Sequence, residues 1–150
     1  MNPFNVPGIS DGVFVAAKYI RRLAAWMDGF TITADPEIII EPGRSMVSNA
    51  GVLVSEVVLI SRKSRTALHR WVYTDVGKFT GLIESLDDST KSPIYTEKNG
   101  ELENAIIAGP TCDSADIMYE NYKYGLPLNL ATGDRLYWLS TGAYTTTYSS

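Results

Sequence analysis

Three short segments of this 150-residue sequence carry side chains that could perform chemistry. The first is Glu41-Pro42-Gly43-Arg44. Gly43 lets the backbone approach an anion closely, and the guanidinium of Arg44 supplies charge and several hydrogen-bond donors. Glu41 could point into the same site. A Pro-Gly pair after a strand is also an ordinary turn, so an anion site and a plain turn are both open here.

The second segment is the run of small and polar residues from Gly109 to Asp116, which contains Cys112, the only cysteine of the chain. An isolated cysteine is more often a packing residue than a nucleophile. Asp113 and Ser114 argue against a dry core position, because an unpaired carboxylate is costly to bury. Cys112 is therefore a candidate for chemistry, and Asp113 could bind a substrate ammonium group.

The third segment is Gly142-Ala143-Tyr144-Thr145. The hydroxyl of Tyr144 could donate a hydrogen bond to a phosphate. The alternative is a strand with a bulge at Gly142 and a tyrosine in the core.

The first segment follows a pattern typical of an α/β unit. Ser10 and Asp11 can cap a helix, apolar residues recur at helical spacing from Val13 to Met27, and Gly29 ends the pattern. The β-branched run Glu37–Glu41 then predicts a strand buried on both faces. In an α/β barrel the end of such a strand lies at the active-site rim, which is where Glu41 would be.

After Gly51 the sequence favours antiparallel β-structure. The basic run Arg62–Arg65 separates the first two β-rich segments and predicts the tip of a hairpin. The β-rich segments are residues 52–61, 68–76, 106–107, 134–140 and 143–148.

Composition excludes several classes of function. The net charge of −4 and the scattered basic residues argue against a nucleic-acid surface. No apolar stretch approaches the roughly 20 residues of a membrane span, and residues 1–11 lack the features of a signal peptide. One cysteine and one histidine provide neither an intramolecular disulfide nor a convincing metal site. We expect a soluble, cytoplasmic protein that binds no metal.

Taken together, in this order and at these separations, the three segments resemble the fold-type III, pyridoxal-phosphate-dependent decarboxylases that act on ornithine, lysine, arginine or diaminopimelate. The resemblance runs from about Ile38 to Ser150 and includes Tyr73–Phe79, Asp116–Glu120 and Leu128–Tyr137. The pattern Cys-Asp-Ser-x-Asp favours the ornithine/lysine branch, because the diaminopimelate enzymes usually have Cys-Glu-Ser. Bacterial ornithine/lysine decarboxylases look most similar.

The resemblance implies a binding site for pyridoxal 5'-phosphate. Glu41 would pair with the pyridine nitrogen of the cofactor, keeping the ring able to accept electrons. Gly43 and Arg44 would bind the cofactor phosphate, joined by the hydroxyl of Tyr144.

The resemblance also implies roles for the second segment. Cys112 would act after carbon dioxide leaves, in protonating the substrate carbon, and Asp113 would bind the distal amine of the substrate. A further acidic ligand would be Asp87, with Asp88 or Glu84 as alternatives. A solvated acidic turn is equally open for that region.

The fold implied is α+β and mainly β. Residues 46–150 would form an antiparallel β-domain of Greek-key type, like the C-terminal domain of alanine racemase. Residues 1–45 would be a helix-strand remnant of a (β/α)8 barrel that binds the cofactor. The family forms homodimers in which two subunits share each active site.

The activity implied is decarboxylation of ornithine and/or lysine to putrescine or cadaverine, in polyamine biosynthesis. The lysine that holds the cofactor covalently in this family lies upstream of the matching region, and none of the lysines here is a credible substitute. We therefore expect the chain alone to be inactive. The alternative from another class is a non-catalytic, decarboxylase-derived dimerisation or interaction module. An amino acid racemase is a third possibility, against which Cys112 and Asp113 argue.

Overall fold

The computed structural model describes residue 41 and residues 43–149. The predicted helix near residues 10–29 lies outside the described residues, as does the predicted strand Glu37–Glu41 apart from Glu41 itself. In the part of the chain that is described, no helix is long and apolar enough to cross a membrane.

The described residues form a mainly β structure, which confirms the predicted fold class. One curled sheet of seven strands has the order β3-β7-β1-β2-β4-β5, and β6 also pairs with β4. A short helix α1 (Arg44–Val47) precedes the sheet, followed by a 3₁₀ turn at Ser48–Ala50. The strands are β1 (Val52–Ser61), β2 (Arg70–Thr74), β3 (Ile94–Tyr95), β4 (Leu102–Ala108), β5 (Ile117–Met118), β6 (Tyr124–Pro127) and β7 (Arg135–Leu139). The other 3₁₀ segments are Lys78–Thr80, Ile83–Asp88, Ser114–Asp116 and Thr146–Tyr148.

Strand β1 is the spine of the sheet, because it pairs antiparallel with both β2 and β7. Its alternation follows the strand period of two: Val57 is fully buried, whereas Val54 on the opposite face is 49% exposed. A bulge between Val57 and Leu59 interrupts this alternation. As a result Val58 and Leu59 are both about half exposed, at 52% and 50%.

The β1–β2 pairing places the basic run Arg62–Arg65 at the tip of a hairpin, as the sequence predicts. One strand pair departs from the mainly antiparallel pairing that the sequence predicts: β2 and β4 are parallel, with Trp71 opposite Ile106. After β2 the chain crosses to the far edge of the sheet, where β3 pairs with β7, and it returns to β4 running in the same direction as β2. A parallel pair requires such a long connection, which periodicity alone does not reveal.

The predicted strand at residues 143–148 is also wrong. Tyr144 adopts a left-handed backbone with a φ of 58°, and Thr146–Tyr148 is a 3₁₀ turn. Two local bonds close this segment on itself: the Thr145 hydroxyl donates to the Thr141 carbonyl at 2.6 Å, and the Tyr148 amide donates to the Thr145 carbonyl at 3.1 Å. Threonine hydroxyls compete in this way with strand pairing, and here they override the β propensity of the residues.

The core lies where β7 meets the loop after β5. Trp138 and Tyr119 are fully buried and their rings stack with centroids 6.2 Å apart. The indole N–H of Trp138 donates to the Ser55 hydroxyl at 2.8 Å, and the Tyr119 hydroxyl accepts from the Ser92 amide at 3.1 Å. These two bonds satisfy the polar atoms of the Trp138 and Tyr119 rings. The second one also attaches the loop that follows Ile83–Asp88 to the core.

Candidate functional site

The position of Arg44 is fixed by a close approach between the segment after α1 and the end of β7. The Ser48 hydroxyl donates to the Ser140 carbonyl at 3.1 Å, and the Gly142 amide donates to the Ser48 carbonyl at 2.9 Å. A Cβ on Gly142 would overlap the carbonyl oxygen of Val47, so only glycine permits this approach. The contact places Arg44 beside the turn that carries Tyr144.

Gly43, Arg44, Glu84 and Tyr144 form what we call the anion cluster. The Arg44 guanidinium lies 5.0 Å from the centre of the Tyr144 ring and forms an ion pair with Glu84. The Cβ position of Gly43 is 3.5 Å from the Tyr144 hydroxyl. A cation, a hydroxyl and an unobstructed glycine therefore meet at one half-exposed place.

This donor set fits a phosphate group. A guanidinium has five N–H donors, so the single hydrogen bond from Arg44 to Glu84 leaves others for an anion. The Tyr144 side chain is 44% exposed and its hydroxyl faces Gly43 rather than the core. Glu41 is exposed at the start of the described part of the chain.

The three acidic candidates for a substrate ligand have different surroundings. Glu84 pairs with Arg44. Asp88 accepts hydrogen bonds from the Asn121 and Tyr122 amides, each at 3.3 Å, and so fastens a neighbouring loop. Asp87 is exposed, has a left-handed backbone with a φ of 53°, and forms no ion pair within the described residues.

Cys112 and Asp113 line a groove of about 490 Å³, which we call the Cys112 groove. Both residues are exposed, and the backbone of Cys112 is left-handed with a φ of 60°. The Asp113 carboxylate accepts one hydrogen bond, from the Ala115 amide at 2.8 Å, and has no ion-pair partner among residues 43–149. Around these two residues the groove is mainly apolar and aromatic, with Val58, Leu59, Lys63, Trp71, Tyr73 and Ile117 among its lining.

Sequence reasoning did not single out Lys63 or Trp71. The Lys63 ammonium lies 4.0 Å from the centre of the Trp71 ring, and both residues line the Cys112 groove. The predicted hairpin could have indicated this contact. With Arg62–Arg65 as the hairpin tip, Trp71 pairs with Ser61 and lies close to the basic turn. A contact between a cation and the face of an aromatic ring, such as this one, is favourable.

The anion cluster and the Cys112 groove are separate within one chain. No member of the anion cluster is among the residues that line the groove. Cys112 and Asp113 come together, and so do Gly43, Arg44 and Tyr144, but the two groups share no cavity in the described structure.

Comparison with known families gives this arrangement a context. The family model described as the pyridoxal-dependent decarboxylase C-terminal sheet domain matches residues 13–142. The chain belongs to this family. The predicted family, the pyridoxal-dependent decarboxylases, is therefore confirmed.

Several individual decarboxylases are similar to the chain. It is 39% identical over 110 residues to a diaminopimelate decarboxylase of Staphylococcus aureus, covering 73% of the chain and 25% of the relative. A diaminopimelate decarboxylase of Haemophilus influenzae is 33% identical over 117 residues, covering 76% and 26%. The chain thus spans about a quarter of the length of the curated relatives it matches.

Solved structures agree on the fold. The lysine/ornithine decarboxylase of Vibrio vulnificus in complex with cadaverine has 32% identity and a TM-score of 0.63, covering 73% of this chain and 29% of that one. The diaminopimelate decarboxylase of Helicobacter pylori in complex with L-lysine has 28% identity and a TM-score of 0.64, covering 89% and 30%. The family decarboxylates basic amino acids, and its members here are named for more than one substrate.

Proposed function

We propose that this chain is the C-terminal part of a pyridoxal-phosphate-dependent decarboxylase that converts ornithine or lysine to putrescine or cadaverine, in polyamine biosynthesis. The observation that carries the proposal is the exposed carboxylate of Asp113. It has no ion-pair partner among the described residues and lines the same groove as Cys112, Trp71 and Tyr73. A carboxylate that lines an apolar and aromatic groove suits a substrate with an apolar methylene chain and a terminal ammonium group.

The cofactor would be held by the anion cluster. Arg44 and the Tyr144 hydroxyl would donate hydrogen bonds to the phosphate, and Gly43 would let it approach the backbone. Glu41 would accept a hydrogen bond from the protonated pyridine nitrogen and so keep that nitrogen protonated. When bound, pyridoxal phosphate supplies an electron sink for the electron pair left by the departing carboxylate.

The groove residues would handle the substrate. Asp113 would accept hydrogen bonds from the distal ammonium group and so orient the chain of the amino acid. The Cys112 thiol would deliver a proton to the carbon that has lost carbon dioxide, which completes the amine product. Asp87, which does not line the Cys112 groove of its own chain, is a second proposed substrate ligand, because Glu84 and Asp88 are already engaged with Arg44 and with two backbone amides.

The separation of the two groups supports a site shared by two copies of the chain. Among the described residues of one copy, none of the proposed cofactor-binding residues lines the Cys112 groove, which supports a site that a second copy completes. The half-exposed Val58 and Leu59 beside the groove provide apolar surface for such an interface. We propose a two-fold homodimer in which residues 46–150 form the β-domain of each subunit and residues 1–45 belong to the cofactor-binding barrel.

Subunit mixing tests this assembly in a chimera in which the chain replaces the matching part of the Vibrio vulnificus lysine/ornithine decarboxylase. Arg44→Ala and Cys112→Ala would each inactivate every site in their own homodimers. If each site takes Arg44 and Cys112 from different subunits, a random mixture of the two variants recovers about a quarter of the wild-type activity. Recovery of none, with mixed dimers demonstrated by mass, would contradict the shared site.

Diaminopimelate is a second candidate substrate, favoured by the names of the curated relatives and by Lys63. The distal end of diaminopimelate carries a carboxylate as well as an ammonium group. Asp113 could bind the ammonium, while the Lys63 ammonium at the edge of the same groove could bind the carboxylate.

The substrate is tested with Asp113→Asn and Lys63→Ala in the same chimera, by carbon dioxide release from ornithine, lysine and diaminopimelate. For the proposed substrates Asp113→Asn raises KM for ornithine and lysine at least about tenfold, since a charge-assisted hydrogen bond is lost, and Lys63→Ala has little effect. A selective loss of diaminopimelate turnover in Lys63→Ala would transfer the assignment to the second candidate. An unchanged KM in Asp113→Asn would remove its proposed role.

A further inference from the structure

Asp116 is a buried carboxylate with no ion-pair partner among the described residues. Its side chain is 1% exposed. The carboxylate accepts three hydrogen bonds: from the Lys78 amide at 2.7 Å, the Thr111 amide at 3.2 Å and the Thr111 hydroxyl at 2.8 Å. Burying an ionised carboxylate is unfavourable unless donors such as these surround it, so the three bonds account for its position.

Two glycines create the space that the carboxylate occupies. A Cβ on either Gly77 or Gly109 would overlap the side chain of Asp116. The carboxylate is therefore enclosed between the turn at Gly77 and Lys78 and the segment at Gly109–Thr111, and it joins them. Neither segment could move far without breaking a bond to Asp116.

The residues between these attachment points are the ones proposed to act on the substrate. Thr111 precedes Cys112 and is bonded twice to the Asp116 carboxylate. At the other end, the Asp116 amide donates to the Asp113 carbonyl at 2.9 Å, and the Asp116 carbonyl accepts from the Gly109 amide at 2.9 Å. Cys112 itself has a left-handed backbone that a non-glycine residue adopts only when its surroundings impose it.

We propose that Asp116 is a positioning residue for the Cys112–Asp113 turn, holding the thiol and the neighbouring carboxylate in place for the decarboxylation. Asp116 touches neither substrate nor cofactor in this account and acts through Thr111. The proposal rests on the proposed function for its catalytic consequence, but the ordering of the turn is testable without any activity.

The chain offers a direct probe of that ordering, because Cys112 is its only cysteine. A nitroxide spin label attached to Cys112 reports how freely the turn moves, by its electron paramagnetic resonance line shape. Thr111→Val, at an exposed position, keeps the shape of the side chain. It removes the hydroxyl bond to Asp116 at 2.8 Å and the longer bond that this hydroxyl accepts from the Asp113 amide at 3.4 Å, whereas Thr111→Ser keeps the hydroxyl. Asp116→Asn places an N–H₂ group among three donors, and Thr66→Val, an exposed threonine on the hairpin, is the matched control.

The label on Thr111→Val is expected to tumble at least about twofold faster than on the unaltered chain, with Thr111→Ser and Thr66→Val unchanged. In the chimera described above, Thr111→Val should then lower kcat/KM by about 10- to 100-fold, since small displacements of reacting groups are costly, and Thr111→Ser should restore it. If Asp116→Asn fails to fold, the measurements on Thr111→Val are sufficient to test the proposal.

An unchanged line shape in Thr111→Val would overturn the proposal, and so would a mobile label combined with undiminished kcat/KM. Failure of the proposed function has a different signature: Cys112→Ala would then leave turnover in the chimera unchanged, whatever the mobility of the label.

Discussion

Replacement of Gly142 by alanine should separate α1 from the turn that carries Tyr144. A Cβ at this position would stand 2.9 Å from the Gly51 amide nitrogen and 3.0 Å from the Ser48 carbonyl oxygen, and would overlap the Val47 carbonyl oxygen. All three obstacles are backbone atoms, so no side-chain rotation relieves the overlap. The two segments must open by about 1 Å or more to reach an ordinary non-bonded distance.

The expected cost follows from that displacement. Overpacking of a close contact costs typically about 1–3 kcal/mol, and rigid backbone on every side places Gly142→Ala near about 3 kcal/mol. The hydrogen bond from the Gly142 amide to the Ser48 carbonyl would also be strained. Because Arg44 and Tyr144 lie on the two separated segments, their contact should be lost and the affinity for pyridoxal phosphate should fall with the stability.

Gly125→Ala is the matched control. Gly125 lies in β6, and a Cβ there would meet the Leu102 side chain at 3.8 Å, an ordinary contact. Neither Gly125 nor Gly142 has a positive φ, so the comparison isolates the steric term. Urea unfolding followed by tryptophan fluorescence should show a loss of less than about 1 kcal/mol for Gly125→Ala. Equal midpoints and slopes for the two variants would refute the reasoning.

Ser55→Ala leaves the buried indole N–H of Trp138 without its acceptor, so this variant should lower the free energy of unfolding by about 1–3 kcal/mol. Ser61→Ala, on the same strand, should change it little. Equal losses for the two variants in urea titrations would contradict this prediction. Burial raises the pKa of Tyr119 from 10.0 to about 12, only partly opposed by its hydrogen bond from the Ser92 amide. The unfolded chain therefore releases the Tyr119 hydroxyl proton at a lower pH than the folded protein does. The contribution of this difference to the free energy of unfolding is complete below about pH 10. It declines by at most about 2–3 kcal/mol as the pH rises towards about 12. Tyr119→Phe should flatten the stability profile in this range, and an equally steep decline in that variant would show that Tyr119 is not its source.

Much of the sheet could be predicted from the sequence because its long strands carry strong local signals. The β-branched residues of β1 predict its bounds at Val52–Ser61, and the basic run Arg62–Arg65 predicts the hairpin tip that follows. The strand at Arg135–Leu139 lies inside the predicted segment 134–140. In each case propensity, alternation and turn residues agree with the final structure.

The structure departs from the sequence predictions where distant residues decide the local structure. The parallel pairing of β2 with β4 depends on where the intervening chain travels, which no window of sequence contains. The aromatic and threonine-rich segment after Gly142 has strand propensity, yet it pairs with no strand of the described residues, and the Thr145 hydroxyl bonds within the segment instead.

For the candidate site, the sequence predicted which segments carry the site residues but not which residues they contact. The sequence indicates Arg44, Cys112 and Asp113 by residue type and context, but the pairing of Arg44 with Glu84 spans 40 residues and depends on the fold. The proposed role of Asp116 was equally hidden, because its environment is made of two backbone amides, the Thr111 hydroxyl and two glycines from separate segments. A choice among Glu84, Asp87 and Asp88 requires the same kind of three-dimensional information.

The most direct test of the central claim is the reaction of Cys112→Ala in the chimera with the Vibrio vulnificus lysine/ornithine decarboxylase, followed by carbon dioxide release and by diamine yield from ornithine and lysine. If this chain supplies the proton donor of a decarboxylase, turnover should fall by about 10²–10⁴-fold, the usual contribution of a positioned general acid, while the unaltered chimera remains active. Unchanged turnover and unchanged diamine yield in Cys112→Ala would contradict the claim and would favour a chain that contributes only structure or association.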